Sequence, residues 1–280
     1  MEKKIYSDGS YVIREYWENG HIRKENRYNP NGKLDGVCHF WYDNGQLMRH
    51  AFYVNGLEEG VVKQCHADGK TSSEETYVHG KLNGPCKMWN ERGQLYKETF
   101  YENDRQIYGI LHEYHENGKL LRNKMLRDEQ PHGICQEYYD NGQVCEETIY
   151  EEGLREGISR KWGAHGRLIE VKSYKNDLLE GEYKWWSREG IVLIEACYHE
   201  GLLQGVCKRY YEDGQLEFEE NYENGKLHGI RRTYYENGKL RTEENYVNGE
   251  QQGPQRMWNK NGKLKKEFVI DSSIGSTAKF

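Results

Sequence analysis

The sequence predicts an all-β fold, an elongated solenoid or twisted single sheet of stacked antiparallel β-hairpins made of about eleven 24-residue repeats. Three observations carry that prediction. One glycine recurs at Gly20, Gly45, Gly69, Gly93, Gly118, Gly142, Gly166, Gly190, Gly214, Gly238 and Gly262, at steps of 24 or 25 residues. A second recurs out of phase at Gly36, Gly60, Gly84, Gly109, Gly133, Gly157, Gly181, Gly205, Gly229 and Gly253, so each repeat holds two turns. Four residues before the first glycine stands an aromatic in every copy but one: Tyr16, Trp41, Trp89, Tyr114, Tyr138, Trp162, Trp186, Tyr210, Tyr234 and Trp258, with Cys65 as the exception.

The first turn reads Glu-Asn-Gly-Lys at Glu116 to Lys119 and Asp-Asn-Gly-Gln at Asp140 to Gln143. Asn-Gly between extended segments is the strongest short-range hairpin signal, because glycine accepts a positive φ without a Cβ clash. The second turn, typified by Asn224 to Gly229, is expected to be wider and to return the chain to the next hairpin. Two residues after the first glycine run Ile22, Leu47, Leu95, Leu120, Val144, Leu168, Val192, Leu216, Leu240 and Leu264. A three-residue loop with a G1 bulge sets this column directly opposite the aromatic one on the same face. The expectation is that this stripe is the core, buried between neighbouring hairpins. Eight residues after the glycine comes a tyrosine column, including Tyr28, Tyr53, Tyr77, Tyr150, Tyr222 and Tyr246.

Six residues before the glycine most copies carry a base, as at Arg14, Lys63, Lys87, Arg160, Lys184, Lys208, Arg232 and Arg256. Five after it most carry Glu, as at Glu25, Glu74, Glu98, Glu147, Glu195, Glu219, Glu243 and Glu267. The columns form either a cross-strand ladder of about 0.2–1 kcal/mol per pair or a basic groove for phosphate or lipid headgroups. The matched Glu column favours the ladder, which also keeps a long sheet soluble. The chain divides into an N-terminal capping strand in residues 1–12, the repeat array in 13–270 and a polar C-terminal tail in 271–280.

With 35% apolar and 31% charged residues, no large spherical core is expected. The 23 Tyr, 7 Trp and 6 Phe argue equally against disorder. A net charge of −6, with both signs interleaved, excludes a simple nucleic-acid partner. Seven Cys, no glycosylation sequon and no apolar leader at Met1 to Val12 suggest a reducing, intracellular (cytoplasmic) setting.

A search for chemistry returns little. His112 and His115 fall on opposite faces of a strand, which argues against a zinc motif. Cys197, His199 and Cys207 gather only three candidate ligands. Cys38, Cys86, Cys135 and Cys207 share one repeat position and behave as small hydrophobes. Phosphate loop, nucleophile elbow and dinucleotide fingerprint are all absent, so the sequence predicts no enzyme, no cofactor and no small-molecule substrate. One segment departs from the repeat: Trp185, Ile191, Leu193 and Ile194 are apolar where other copies often carry charge. They form a candidate patch for a protein partner or for self-association.

Units such as Tyr234-Tyr235-Glu236-Asn237-Gly238-Lys239-Leu240-Arg241-Thr242-Glu243 resemble the variant class of the MORN (membrane occupation and recognition nexus) repeat. The resemblance runs over residues 12 to 270, with departures at Asn103 to Tyr108, Asp128 to His132 and Cys65. It implies a hairpin-built single-sheet solenoid acting as a scaffold for protein association. Membrane-proximal or virion-associated placement is implied too, since the class is numerous in large DNA viruses of amoebae and occurs in bacterial antitoxin-like proteins. A peripheral module for anionic lipid and an antitoxin-like neutralising protein are the alternatives to the scaffold.

Overall fold

The structure, a computed structural model, describes residues 1–271; the remainder of the tail expected at 271–280 lies outside the described residues. Among them there is no helix, and every registered strand pair is antiparallel. The chain forms two compact units, Met1–His132 and Gly133 onward. In each, successive strands are hydrogen-bonded edge to edge, so that within a hairpin Leu34–Trp41 pairs with Leu47–Val54 and, between hairpins, Ile22–Tyr28 pairs with Leu34–Trp41. Residues 1–12 contain a strand at Glu2–Ile5, a turn at Gly9 and the start of the strand Tyr11–Tyr16 that pairs with the first.

The first turn has the expected geometry. Trp17 donates its backbone N–H to His21 at 2.8 Å and Gly20 donates to Trp17 at 3.0 Å, enclosing a three-residue loop with Gly20 at φ 87°. This register sets Tyr16 against Ile22, Trp41 against Leu47 and Tyr234 against Leu240. One residue further on a second bulge shifts the ladder, and it brings Arg14 opposite Glu25 and Arg232 opposite Glu243.

The second turn is tighter than expected. Val54 pairs with Leu57 around Asn55 and Gly56, both at positive φ, which makes a two-residue type I′ turn. The extra length is a bulge after the turn, where Glu59 donates its N–H to Phe52 at 2.9 Å and Gly60 takes φ 78°. The turn persists where Asn-Gly is lost: Asn103 and Asp104 sit at φ 49° and 68°, Asp128 and Glu129 at 47° and 64°. Asn and Asp tolerate this region better than Glu does.

The burial pattern corrects the expected core. The aromatic and Leu columns do share a face, but most of their members are only half-buried, and Tyr16 and Leu264 are exposed. The fully enclosed residues are small and lie mainly on the other face. In the first unit Cys38, Ala51 and Val62 are 0% exposed, with Cys86 and Thr99 close behind. Hairpins here meet at strand edges and not face to face, so no second layer covers the aromatics. A one-layer sheet encloses a side chain only when longer neighbours on the same face close over it, and the tyrosine column supplies them. Tyr53 donates to Glu58 at 2.9 Å and accepts from Arg49 at 3.0 Å beside Ala51.

Candidate interaction surface

On the face of the aromatic column the ladder is formed. Arg232 Nε lies 2.9 Å from Glu243, Arg256 Nε 2.8 Å from Glu267, Lys87 Nζ 3.2 Å from Glu98 and Lys208 Nζ 3.5 Å from Glu219. In the second unit the ladder also runs between hairpins, with Arg256 Nη1 3.0 Å from Glu243 and Arg160 Nη1 3.4 Å from Glu147. The first unit departs from it twice, where His112 stands opposite Asn123 and where His39 faces His50 with ring nitrogens 3.0 Å apart. Burial, followed by the neighbouring His50, depresses the pKa of His39, with Glu25 working the other way. Beside the ladder runs a line of exposed β-branched residues, Val37, Val61, Ile134, Ile158, Val206 and Ile230. They recur singly, one per repeat, as strand-forming residues do.

The opposite face is the one lined by the tyrosines and the small residues. In the second unit several small positions carry charge instead. Arg231 Nε lies 2.6 Å from Glu220, and its Nη1 lies 3.0 Å from Glu244. Tyr222 donates to Glu220 at 2.7 Å and Tyr246 to Glu244 at 3.1 Å. Burial works against the Arg231 charge, but the two carboxylates outweigh it and hold the guanidinium well above its ordinary pKa. Burial likewise pushes the Cys207 thiol up to about 11, which keeps it protonated and unreactive. Cys38 and Cys86 are raised by the same cause, consistent with thiols acting as small hydrophobes. Cys207 shares this face with Arg209, which is paired with Ile194, whereas Cys197 alternates to the other, so the triad Cys197, His199 and Cys207 does not assemble. No group of three metal-ligating side chains occurs among the described residues.

The candidate patch also lies on this face. Trp185 pairs directly with Ile194, Ile194 with Arg209 and Arg209 with Phe218, forming one row across four strands. Trp185 remains 42% exposed. Leu193 is the bulged residue between Val192 and Ile194 and flanks the row. Ile191 is separate: its methyl lies 3.6 Å from where a Cβ on Gly214 would stand, so it packs along the turns. The equivalent row in the first unit, Phe40, Arg49, Gln64 and Ser73, holds a single aromatic followed by charged and polar residues.

One column of side chains was not anticipated from the sequence. The residue after the aromatic column hydrogen-bonds to a backbone carbonyl of the following repeat: Trp17 Nε1 to Trp41 O at 3.1 Å, Tyr42 to Cys65 O at 2.8 Å, Tyr139 to Trp162 O at 2.7 Å, Tyr211 to Tyr234 O at 2.8 Å and Tyr235 to Trp258 O at 2.8 Å. The cause is a splay between hairpins near their tips. Pairing stops at Lys24 with Phe40 and at Glu146 with Lys161, so the next carbonyl has run past the ladder. Asn90, which donates to Gln94 in its own turn at 3.0 Å, Gly163 and Ser187 interrupt the column, and at Gly163 lies an open hollow of about 730 Å³, lined by Tyr139, Gly163, Arg167, Ile169 and Arg188 among others. The sequence signal was the aromatic pair, as in Tyr138-Tyr139 and Tyr234-Tyr235, broken at Trp162-Gly163 and Trp186-Ser187 and also elsewhere, as at Cys65-His66, Trp89-Asn90 and Trp258-Asn259.

Comparison with known proteins adds the following. Six tandem stretches, residues 34–55, 82–103, 131–152, 179–200, 203–224 and 227–248, match the model described as the MORN repeat variant. No curated protein matches. Among solved structures, those titled "Crystal Structure of TcdB2-TccC3-TEV" and "Crystal Structure of TcdB2-TccC3-Cdc42" are each similar at 13% identity and a TM-score of 0.24. Each alignment covers 98% of this chain but only 18% of the other, and a likeness at that level carries no argument.

Proposed function

Because the chain is a tandem array of MORN repeat variants, we propose that it is a non-catalytic scaffold that binds another protein on the face carrying Trp185, Leu193 and Ile194. The observation that carries this reading is the row from Trp185 to Phe218, where Trp185 and Ile194 lie side by side and Phe218 follows beyond Arg209, against the single aromatic Phe40 in the first unit's row. Buried interface centres are depleted in charge and enriched in aromatics, and an exposed Trp fits that role. A reducing intracellular setting suits thiols such as Cys38, Cys86 and Cys207, which form no disulfide.

A lipid-headgroup reading has weaker support, since the bases that motivated it are engaged by the Glu column. Co-sedimentation with anionic liposomes at low salt is expected to show no binding above that of neutral vesicles. The main test replaces Trp185→Ser and Ile194→Ser together. Both side chains face outward, so far-UV circular dichroism should be unchanged, while self-association or retention of a purified partner should fall at least tenfold. Unchanged association would overturn the reading.

A further inference from the structure

We infer that the hollow at Gly163 is a subsite for an aromatic side chain with a hydrogen-bond donor, a tyrosine or tryptophan, presented by an acidic segment of the bound protein. This deepens the scaffold reading and rests on it. The array itself displays the ligand chemistry. At Trp17, Tyr42, Tyr139, Tyr211 and Tyr235 the repeat's own aromatic fills the corresponding place and donates to the carbonyl past the end of the ladder.

At Gly163 the same backbone is present without the side chain. Pairing between hairpins ends at Glu170 with Trp185, as it ends at Glu146 with Lys161 one repeat earlier. The carbonyl of Trp186 therefore stands where that of Trp162 accepts from Tyr139, and no side chain among the described residues donates to it. The next copy has Ser187, whose Oγ is turned to its own loop and accepts from the N–H groups of Glu189 and Ile191 at 3.2 and 3.3 Å. The column is thus open for two consecutive repeats at about 10 Å each, room for a short extended segment.

Glycine is not demanded by the backbone here. Gly163 does not take a positive φ, and a Cβ placed on it meets nothing nearer than Ile169 at 3.8 Å. The surroundings specify the ligand further. Tyr139 and Ile169 provide apolar walls. Arg167 and Arg188 stand on the rim, and among the described residues the one side-chain hydrogen bond of Arg167 is to the backbone carbonyl of Arg188 at 2.6 Å. At Trp17 and Tyr235 the residue in the place of Ile169 is an arginine lying over the resident ring, Arg23 at 4.8 Å and Arg241 at 5.8 Å. Here it is aliphatic, a surface for an incoming ring, and the positive charge has moved to the rim where carboxylates of the incoming segment would meet it.

The test titrates the full chain with a synthetic seven-residue peptide holding one tyrosine between pairs of glutamates, followed by amide chemical shifts. Saturable shifts are expected at Gly163, Ile169 and Arg188. A phenylalanine version should bind about three- to tenfold more weakly for want of the hydroxyl, and an alanine version should not bind. Gly163→Tyr, which restores the repeat, should abolish peptide binding while the chain stays folded. Ile169→Glu, which imitates Glu217 in the same repeat position, should do the same by repulsion and guards against misfolding of the first variant.

Binding of the alanine peptide, unchanged binding to both variants, or no binding to the wild type would overturn the subsite. The scaffold reading fails separately: loss of the protein partner in the Trp185→Ser, Ile194→Ser chain with no peptide binding would leave the scaffold standing and remove only the subsite.

Discussion

The two units differ in what they place on one face of the same repeat, although each mixes both kinds, with Glu75 in the first and Ala196 and Cys207 in the second. In the first, the positions under the tyrosines are filled by Cys38, Ala51, Val62 and Cys86, small side chains at or near zero exposure. In the second, corresponding positions hold Lys172, Glu220, Arg231 and Glu244, joined to each other or to Tyr hydroxyls and carboxylates within hydrogen-bonding distance. The repeat therefore does not require an apolar floor. It requires that the space beneath the tyrosines be filled, and the charges placed there are paired.

The largest effect should come from breaking the charged floor. Arg231→Ala leaves Glu220, 8% exposed, and Glu244 without their cation, and should cost about 3 kcal/mol in urea denaturation. The sharper experiment replaces Glu220→Ala, Arg231→Val and Glu244→Ala together, importing the first unit's chemistry. That chain should recover most of the loss, because no charge is left stranded. A single variant as stable as wild type would show that the network contributes nothing.

Next in size is the apolar floor. Val62→Ala removes two buried methyl groups where the neighbours are already closed, and should cost about 2 kcal/mol by the same measurement. A loss under about 0.5 kcal/mol would mean that the tyrosine roof settles into the space.

The smallest effect concerns acid. His39 and His112 in the first unit have depressed pKa values, His39 from burial and His50, His112 from burial. Their stabilisation is complete above the unfolded histidine value of about 6.5 and is lost as pH falls below it, because the unfolded chain then binds protons more readily. His199 in the second unit has the opposite sign: its hydrogen bond to Glu180 raises its pKa, so its contribution is present below about 6.5 and lost as pH rises through the folded value. Residue-resolved amide exchange at pH 7.5 and 5.5, corrected for intrinsic rates, should show protection falling on acidification around His39 and not around His199. His39→Arg with His50→Glu, which restores the ladder, should remove the acid sensitivity at that site.

Much of this was legible in the sequence because it depends on spacing along one hairpin. The bulged first turn, the facing aromatic and Leu columns, the Arg–Glu ladder and the small-hydrophobe role of the cysteines all follow from offsets to one glycine. What escaped depends on relations between hairpins. Twist and splay decide which face closes, and neither leaves a mark at any single position. Hence the aromatic stripe reads as the core in the sequence, whereas the enclosed residues lie behind it. The second turn looked wide because a bulge adds length just as a loop does. In the patch, Trp185, Leu193 and Ile194 were found by their departure from the repeat, and Ile191 proved to pack along the turns. Gly163 was overlooked because one more glycine in a glycine-rich chain draws no notice.

The side-chain bonds from Tyr42 to Cys65 O and from Tyr235 to Trp258 O have a bearing on how such a chain lengthens or shortens over evolutionary time. Where the column is filled, a repeat holds a donor that its successor satisfies and an acceptor that its predecessor reaches. Deleting or duplicating a whole 24-residue unit rejoins donor to acceptor and leaves each face intact. Deleting a single strand would strand both and reverse the direction of all that follows. Growth by whole copies is thus the one change of length that costs this architecture almost nothing, and single positions such as Gly163 remain free to diverge within it.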